Sequence, residues 1–111
     1  MTRRSSKLYI KDILDCIDKI EKYVKGLSFE GFTKDKMVID AVVRNFEIIG
    51  EAAKNISLEV KTKYDEIPWK EMAGIRDKTI HEYFGVDLKI IWKTIKQSLP
   101  GLKKAIKIIL K

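Results

Sequence analysis

Arg76, His81 and Tyr83 carry the strongest chemistry in this chain. His81 is the single histidine among 111 residues; Arg76 stands five residues before it and Tyr83 two after, with Gly74 and Gly85 bracketing the group. An imidazole with an ordinary pKa of about 6.5 takes or gives a proton at neutral pH. A guanidinium stays charged and holds two oxygens at once, which suits the crowded phosphorane formed when a phosphodiester is cut. On a basic protein these groups are enough for metal-free cleavage of RNA. The plainer reading is a histidine satisfied within the structure and an arginine in a helix-end ion pair, and spacing alone leaves both open.

The same chemistry excludes other classes. One histidine and one cysteine, Cys16, cannot build a zinc site, so no metal and no cofactor is expected. Asp12, Asp15 and Asp18 recur every three residues but sit among Lys11, Lys19 and Lys22, as on a solvated helix face. No Gly-x-Ser-x-Gly elbow presents a serine to His81, and no Walker-type glycine loop is present.

Residues five apart in an α-helix lie about 140° apart around the axis, and residues two apart about 160°. Arg76, His81 and Tyr83 therefore diverge if the helix runs on unbroken. The group acts together only if the helix ends here or other elements meet it, and Gly85 is the expected stop. The expectation is a polar site at a helix end.

The elements that must position this site read as helices. Ile10, Ile13, Leu14, Ile17, Ile20 and Val24 give three-and-four spacing over residues 7–25, with Ser5 or Ser6 as cap and Gly26 as terminator. A short loop from Leu27 to Phe32 leads to Thr33, the expected cap of a helix over residues 34–55. Its apolar stripe is Val38, Ala41, Val42, Ile48, Ile49, Ala52 and Ile56, and another face carries Arg44, Glu47, Glu51 and Lys54. That polar row is either an exposed ion-pair strip or the lining of the cleft that holds Arg76 and His81; the sequence favours neither.

Ser57 caps a short helix through Tyr64, and Pro68 opens a helix from Trp69 to about Ile80, with Trp69, Met72 and Ile75 in the core. Asp87 caps a last long helix with Leu88, Ile91, Trp92, Ile95 and Leu99 inward, a kink or break at Pro100-Gly101, and Leu102, Ala105, Ile106 and Ile109 beyond it. No strand signal appears. The fold class expected is all-α, an up-and-down bundle of about four to five helices in one domain over residues 1–111.

A hydrophobic fraction of 45%, a charged fraction of 35% and a net charge of +7 describe a globular protein suited to an anionic partner. Lys89, Lys93, Lys96, Lys103, Lys104, Lys107 and Lys111 make the last third strongly basic, either as a solvated face or as a strip that contacts phosphates. A lone cysteine permits no internal disulfide and fits the reducing cytoplasm. No apolar run suits a signal peptide or a membrane span.

The stretch from Arg76 to Tyr83 resembles the Arg-x4-His-x-Tyr motif of the HepT-like toxins, a branch of the HEPN superfamily. Arg44-Asn45-Phe46-Glu47-Ile48-Ile49-Gly50-Glu51-Ala52 is similar to the family's second-helix signature. Ile67-Pro68-Trp69, Tyr83-Phe84-Gly85-Val86-Asp87, Trp92 and Leu99-Pro100 follow its pattern in order. Asp77 stands where many members carry asparagine, and Glu82 where glycine is often found before the tyrosine. The resemblance implies a HEPN-like helical homodimer with Arg76 and His81 catalytic in a cleft at the interface, and Arg44, Glu47, Glu51 and Asp77 supporting it. It implies a metal-independent ribonuclease, the toxin of a toxin–antitoxin pair, cleaving RNA such as tRNA. Its partner would be a minimal nucleotidyltransferase (MNT-type) antitoxin that silences it by adding AMP to Tyr83. The alternative is a non-catalytic helical module that docks such a nucleotidyltransferase or a nucleotide, a role to which the acidic Asp77 and Glu82 are also suited.

Overall fold

The computed structural model describes residues 4–75, 80–81 and 85–111, with the backbone alone at 80, 81, 85 and 86. Five helices come first: α1 (Ser6–Val24), α2 (Phe29–Lys34), α3 (Lys36–Lys54), α4 (Leu58–Lys63) and α5 (Trp69–Ala73). A two-residue antiparallel ladder follows, β1 (Ile80–His81) and β2 (Gly85–Val86), with Ile80 opposite Val86 and His81 opposite Gly85. The chain closes with α6 (Leu88–Lys93), a π-helical turn (Thr94–Ser98) and α7 (Leu99–Ile109). The all-α class expected from the periodicity is the class found; the ladder, too short for any alternation to register, was not foreseen.

The core is built on α1 and α3, both 19 residues long and packed along each other. From α1, Ile13, Ile17 and Ile20 lose all exposure, and from α3 Val42, Phe46 and Ile49 do the same. Cys16 is buried on the same side of α1, and burial pushes its thiol up to about 11. Ser5 begins α1 by accepting from the Leu8 N–H, and Gly26 ends it at φ 79°, the left-handed conformation that costs glycine nothing.

Two boundaries differ from expectation. Residues 29–34, expected to begin in a loop and end in the next helix, form α2, because the Ser28 hydroxyl caps it at the Gly31 N–H. Thr33 is not a cap: its hydroxyl donates to the Glu30 carbonyl inside α2, and Asp35 caps α3 at the Val38 N–H instead. Aspartate caps at least as well as threonine, so the later start wins. α5 ends at Ala73 with Gly74 as its cap residue, and Ile75 is again helical. Residues 76–79 of the helix expected to reach Ile80 lie outside the described residues, Ile80 is in β1, and Gly85 lies in β2 rather than at a helix stop.

Ser57 caps α4 and Asp87 caps α6 as expected, through the Val60 and Ile90 N–H groups. Pro68 precedes α5, whose start is pinned by the Trp69 indole donating to the Tyr64 carbonyl at 3.0 Å. Pro100 does not break the chain's last helix. Its ring would press on the carbonyl four residues back and it has no N–H to donate. The strain is taken up one turn earlier, where the backbone widens into the π turn and the Leu99 N–H reaches the Thr94 carbonyl. Lys103 then ties α7 to α1, bonding Glu21 at 2.7 Å and Asp18 at 2.9 Å.

Candidate functional site

α3 places Arg44, Glu47 and Glu51 three and four residues apart, so they follow one another along a single edge of the helix. That edge forms one wall of an open groove of about 250 Å³, lined also by Tyr9 and Asp12 of α1 and by Arg4. Arg44 and Glu51 are exposed on this groove, and Glu47 is half-buried. Arg4 hydrogen-bonds Asp12 through both terminal nitrogens, the longer contact at 3.4 Å, and its guanidinium carbon lies 4.9 Å from the centre of the Tyr9 ring. The Asp12 bond raises the Arg4 pKa above its ordinary value, so this guanidinium is charged throughout the working range. The groove thus combines two guanidiniums, three carboxylates and a phenol.

Arg4, Tyr9 and Asp12 were not picked out from the sequence as site residues. Tyr9 and Asp12 are one helical turn apart on α1, a weak signal in a helix rich in charge. Asn45 was also missed. It is buried at 5% exposure inside the apolar face of α3; its amide donates to the Ala41 carbonyl at 2.8 Å, while its side-chain oxygen meets no partner among the described residues. An asparagine between Val42 and Phe46 was the available sign.

The approach to the motif runs through Gly50. A Cβ at this position would lie 3.4 Å from the carbonyl oxygens of both Met72 and Ala73 and 3.6 Å from the Ile75 side chain. α5 and Ile75 therefore rest directly on α3 at Gly50. Arg76 is the next residue in the chain. Arg76, Asp77 and Tyr83 themselves lie outside the described residues, as does Glu82. His81 is described by its backbone, which pairs with Gly85 two residues before the Asp87 cap of α6. The histidine's main chain is thereby tied to the start of the C-terminal helix.

Among the described residues no His, Cys, Asp and Glu side chains group as metal ligands would, and no helix is long and apolar enough to cross a membrane.

The chain is similar to known proteins over most of its length. A family model described as ribonuclease HepT-like matches residues 13–109. A protein of Thermococcus cleftensis named probable ribonuclease HepT is 50% identical over 101 residues, covering 91% of this chain and 92% of its own. A candidate RNase of Caldanaerobacter subterraneus is 49% identical over 107 residues, 96% of each chain. Another, from Methanocaldococcus jannaschii, is 44% identical over 111 residues, all of this chain and 92% of the relative. No solved structure matches significantly.

Proposed function

This chain belongs to the ribonuclease HepT-like family, and from that premise we propose that it is an RNA-cleaving toxin whose action needs no metal. His81 moves the protons: it takes one from the 2′-hydroxyl as that oxygen attacks the neighbouring phosphorus, or returns one to the departing 5′-oxygen. Arg76 holds the non-bridging oxygens as negative charge gathers on them. Arg44, Glu47 and Glu51 line the cleft, with Asp77 beside Arg76 as a further polar support. Two copies pair so that the cleft lies at their interface.

The observation that carries this reading is the seating of Met72 and Ala73 on Gly50. It seats the chain as far as Ile75, the residue before Arg76 in sequence, on the helix that carries Glu47 and Glu51, which supports one site shared by the α3 row and the motif.

Silencing is part of the same proposal. A nucleotidyltransferase partner adds AMP from ATP to the Tyr83 hydroxyl, releasing pyrophosphate. The added bulk and negative charge two residues from His81 oppose entry of an RNA phosphate.

The test is cleavage of a broad RNA panel, tRNA included, by purified protein in chelator. His81→Ala and Arg76→Ala should each lower the rate about 10²-fold or more with unchanged melting. Wild-type protein that spares every RNA, and that leaves growth unaffected when expressed without its partner, would overturn the reading in favour of a docking module.

A further inference from the structure

A second groove lies on the C-terminal run, away from the α3 row. It has a volume of about 400 Å³ and is lined by Phe29 of α2 and by Lys89, Trp92, Lys93, Lys96 and Gln97. Lys89, Lys93 and Lys96 fall at i, i+4 and i+7, and all three are exposed, while Ile91, Ile95 and Leu99 on the other side of the same run are buried. No carboxylate is among the described lining residues. Trp92, expected inside the core, is only half-buried. Its ring rests against fully buried Phe32 at 5.1 Å between centroids and against half-buried Phe29 at 6.1 Å. The Lys96 ammonium lies 4.8 Å from the centre of the same ring.

These features combine a fixed aromatic surface with a row of exposed positive charge. Phe32 and Phe29 hold the indole in place, so stacking a base on it costs little side-chain ordering. The ammonium over the ring marks a face that already attracts a cation, and an exposed contact of that kind is weaker than stacking by a nucleobase. A base arriving with its phosphate can take the ring while the lysine turns to the phosphate. Stacking requires an open base face, which an unpaired strand offers and a duplex does not. Lys89 stands four residues beyond Gly85, whose backbone pairs with His81, so a strand lying along α6 leads towards the histidine.

We propose that this groove is an RNA-docking site outside the cleavage centre, where Trp92 stacks a base of an unpaired strand and Lys89, Lys93 and Lys96 hold its phosphates. The proposal rests on the ribonuclease reading for the nature of the ligand, but not on the identity of the cleaving groups.

The test measures binding of a short fluorescein-labelled oligoadenylate to the non-cleaving His81→Ala protein across a salt series. Replacing Lys89, Lys93 and Lys96 together with glutamine should weaken binding at least tenfold and flatten the log–log salt slope by about 2, near 0.7 for each phosphate that no longer meets a lysine. Trp92→Leu, which keeps an apolar group against Phe32, should weaken binding several-fold with the slope unchanged, and Trp92→Phe should recover most of the loss. Unaltered affinity and slope in a folded triple variant overturn the proposal. So does a triple variant that binds RNA normally but changes sedimentation, since the groove would then face another protein chain. The two readings fail separately. If wild-type protein cleaves no RNA while the lysine variant binds more weakly, the cleavage proposal falls and docking stands. If the lysine variant binds and cleaves normally, docking alone falls.

Discussion

The inner face of α3 buries Val42, Phe46, Ile49 and Ala53, while its outer edge carries Arg44, Glu47 and Glu51 into an open groove. Both sets repeat at helical spacing on one 19-residue element. They differ in what removing a side chain should do. An inner residue fills space that nothing else can fill, so its removal is felt in folding. Arg44 and Glu51 are exposed, where water takes the place of a missing side chain at little cost. Arg44 and Glu51 on the groove edge add little to stability, so an effect of either on cleavage is separable from folding.

The largest expected effect comes from the inner face. Phe46 is fully buried, and Phe46→Ala should cost about 3–5 kcal/mol. Urea denaturation should show a lower midpoint with an unchanged slope, and RNA cleavage per folded molecule should be nearly normal. A variant that stays stable but loses cleavage would break the division between the faces.

Gly50 lies where the two faces meet the chain that leads to the motif. Gly50→Ala places its Cβ at ordinary contact distance from the Met72 and Ala73 carbonyls and removes a flexible residue from a helix interior. The variant should keep its stability or gain up to about 1 kcal/mol. Gly50→Leu has no room and should lift α5 off α3, costing about 1–3 kcal/mol. It should also lower cleavage more than its melting temperature explains, because α5 carries the chain to Arg76. Equal activity of the leucine and alanine variants per folded molecule would separate α3 from the site.

On the outer edge, Arg44→Ala should change stability by no more than about 0.5 kcal/mol. If the row serves the cleft, cleavage should fall about tenfold or more, a loss of at least ~1.4 kcal/mol in transition-state stabilisation. Rates measured at saturating and limiting RNA show whether binding or the chemical step is affected. Arg44→Ala with normal cleavage returns the row to an exposed ion-pair strip.

The same two faces explain how far the sequence could be read. The inner faces of α1 and α3 repeat apolar residues over many turns, and burial enforces that repeat, so Ile13, Ile17, Ile20, Val42 and Ile49 were legible. Capping residues marked starts where one candidate stood alone, as at Ser57 and Asp87. They misled at residues 28–35, where Ser28, Thr33 and Asp35 all suit a helix start and the choice depends on Phe32 reaching the core. Asn45 showed in the sequence only as a polar residue in an apolar stripe, and no spacing announces that its nitrogen donates back to Ala41 while its oxygen is left buried. The π turn before Pro100 was illegible because a proline announces a disturbance without saying where the backbone absorbs it. Arg44, Glu47 and Glu51 could be seen as a row, but the groove also needs Arg4, Tyr9 and Asp12 from α1, and no sequence spacing links them. Trp92 was read as core because a tryptophan in an apolar stripe usually is; its partial exposure follows from Phe32 occupying the space beneath it.

A pH-dependent effect belongs to Cys16, on the inner side of α1. Burial pushes its thiol up to about 11, from an ordinary value of 9.0 in the unfolded chain. Between those values the folded protein keeps the proton and the unfolded chain releases it, so the unfolded state binds fewer protons and stability falls as pH rises. The contribution is complete below pH 9 and is lost as pH climbs towards 11. Melting temperatures at pH 8 and 10.5 should therefore drop further in wild type than in Cys16→Val, whatever the valine does to packing, because lysine deprotonation is common to both proteins. The native thiol should also resist alkylation at pH 8 until the protein is unfolded. Equal pH slopes in the two proteins would place Cys16 in contact with water, and the seam between α1 and α3 would be looser than its packing indicates.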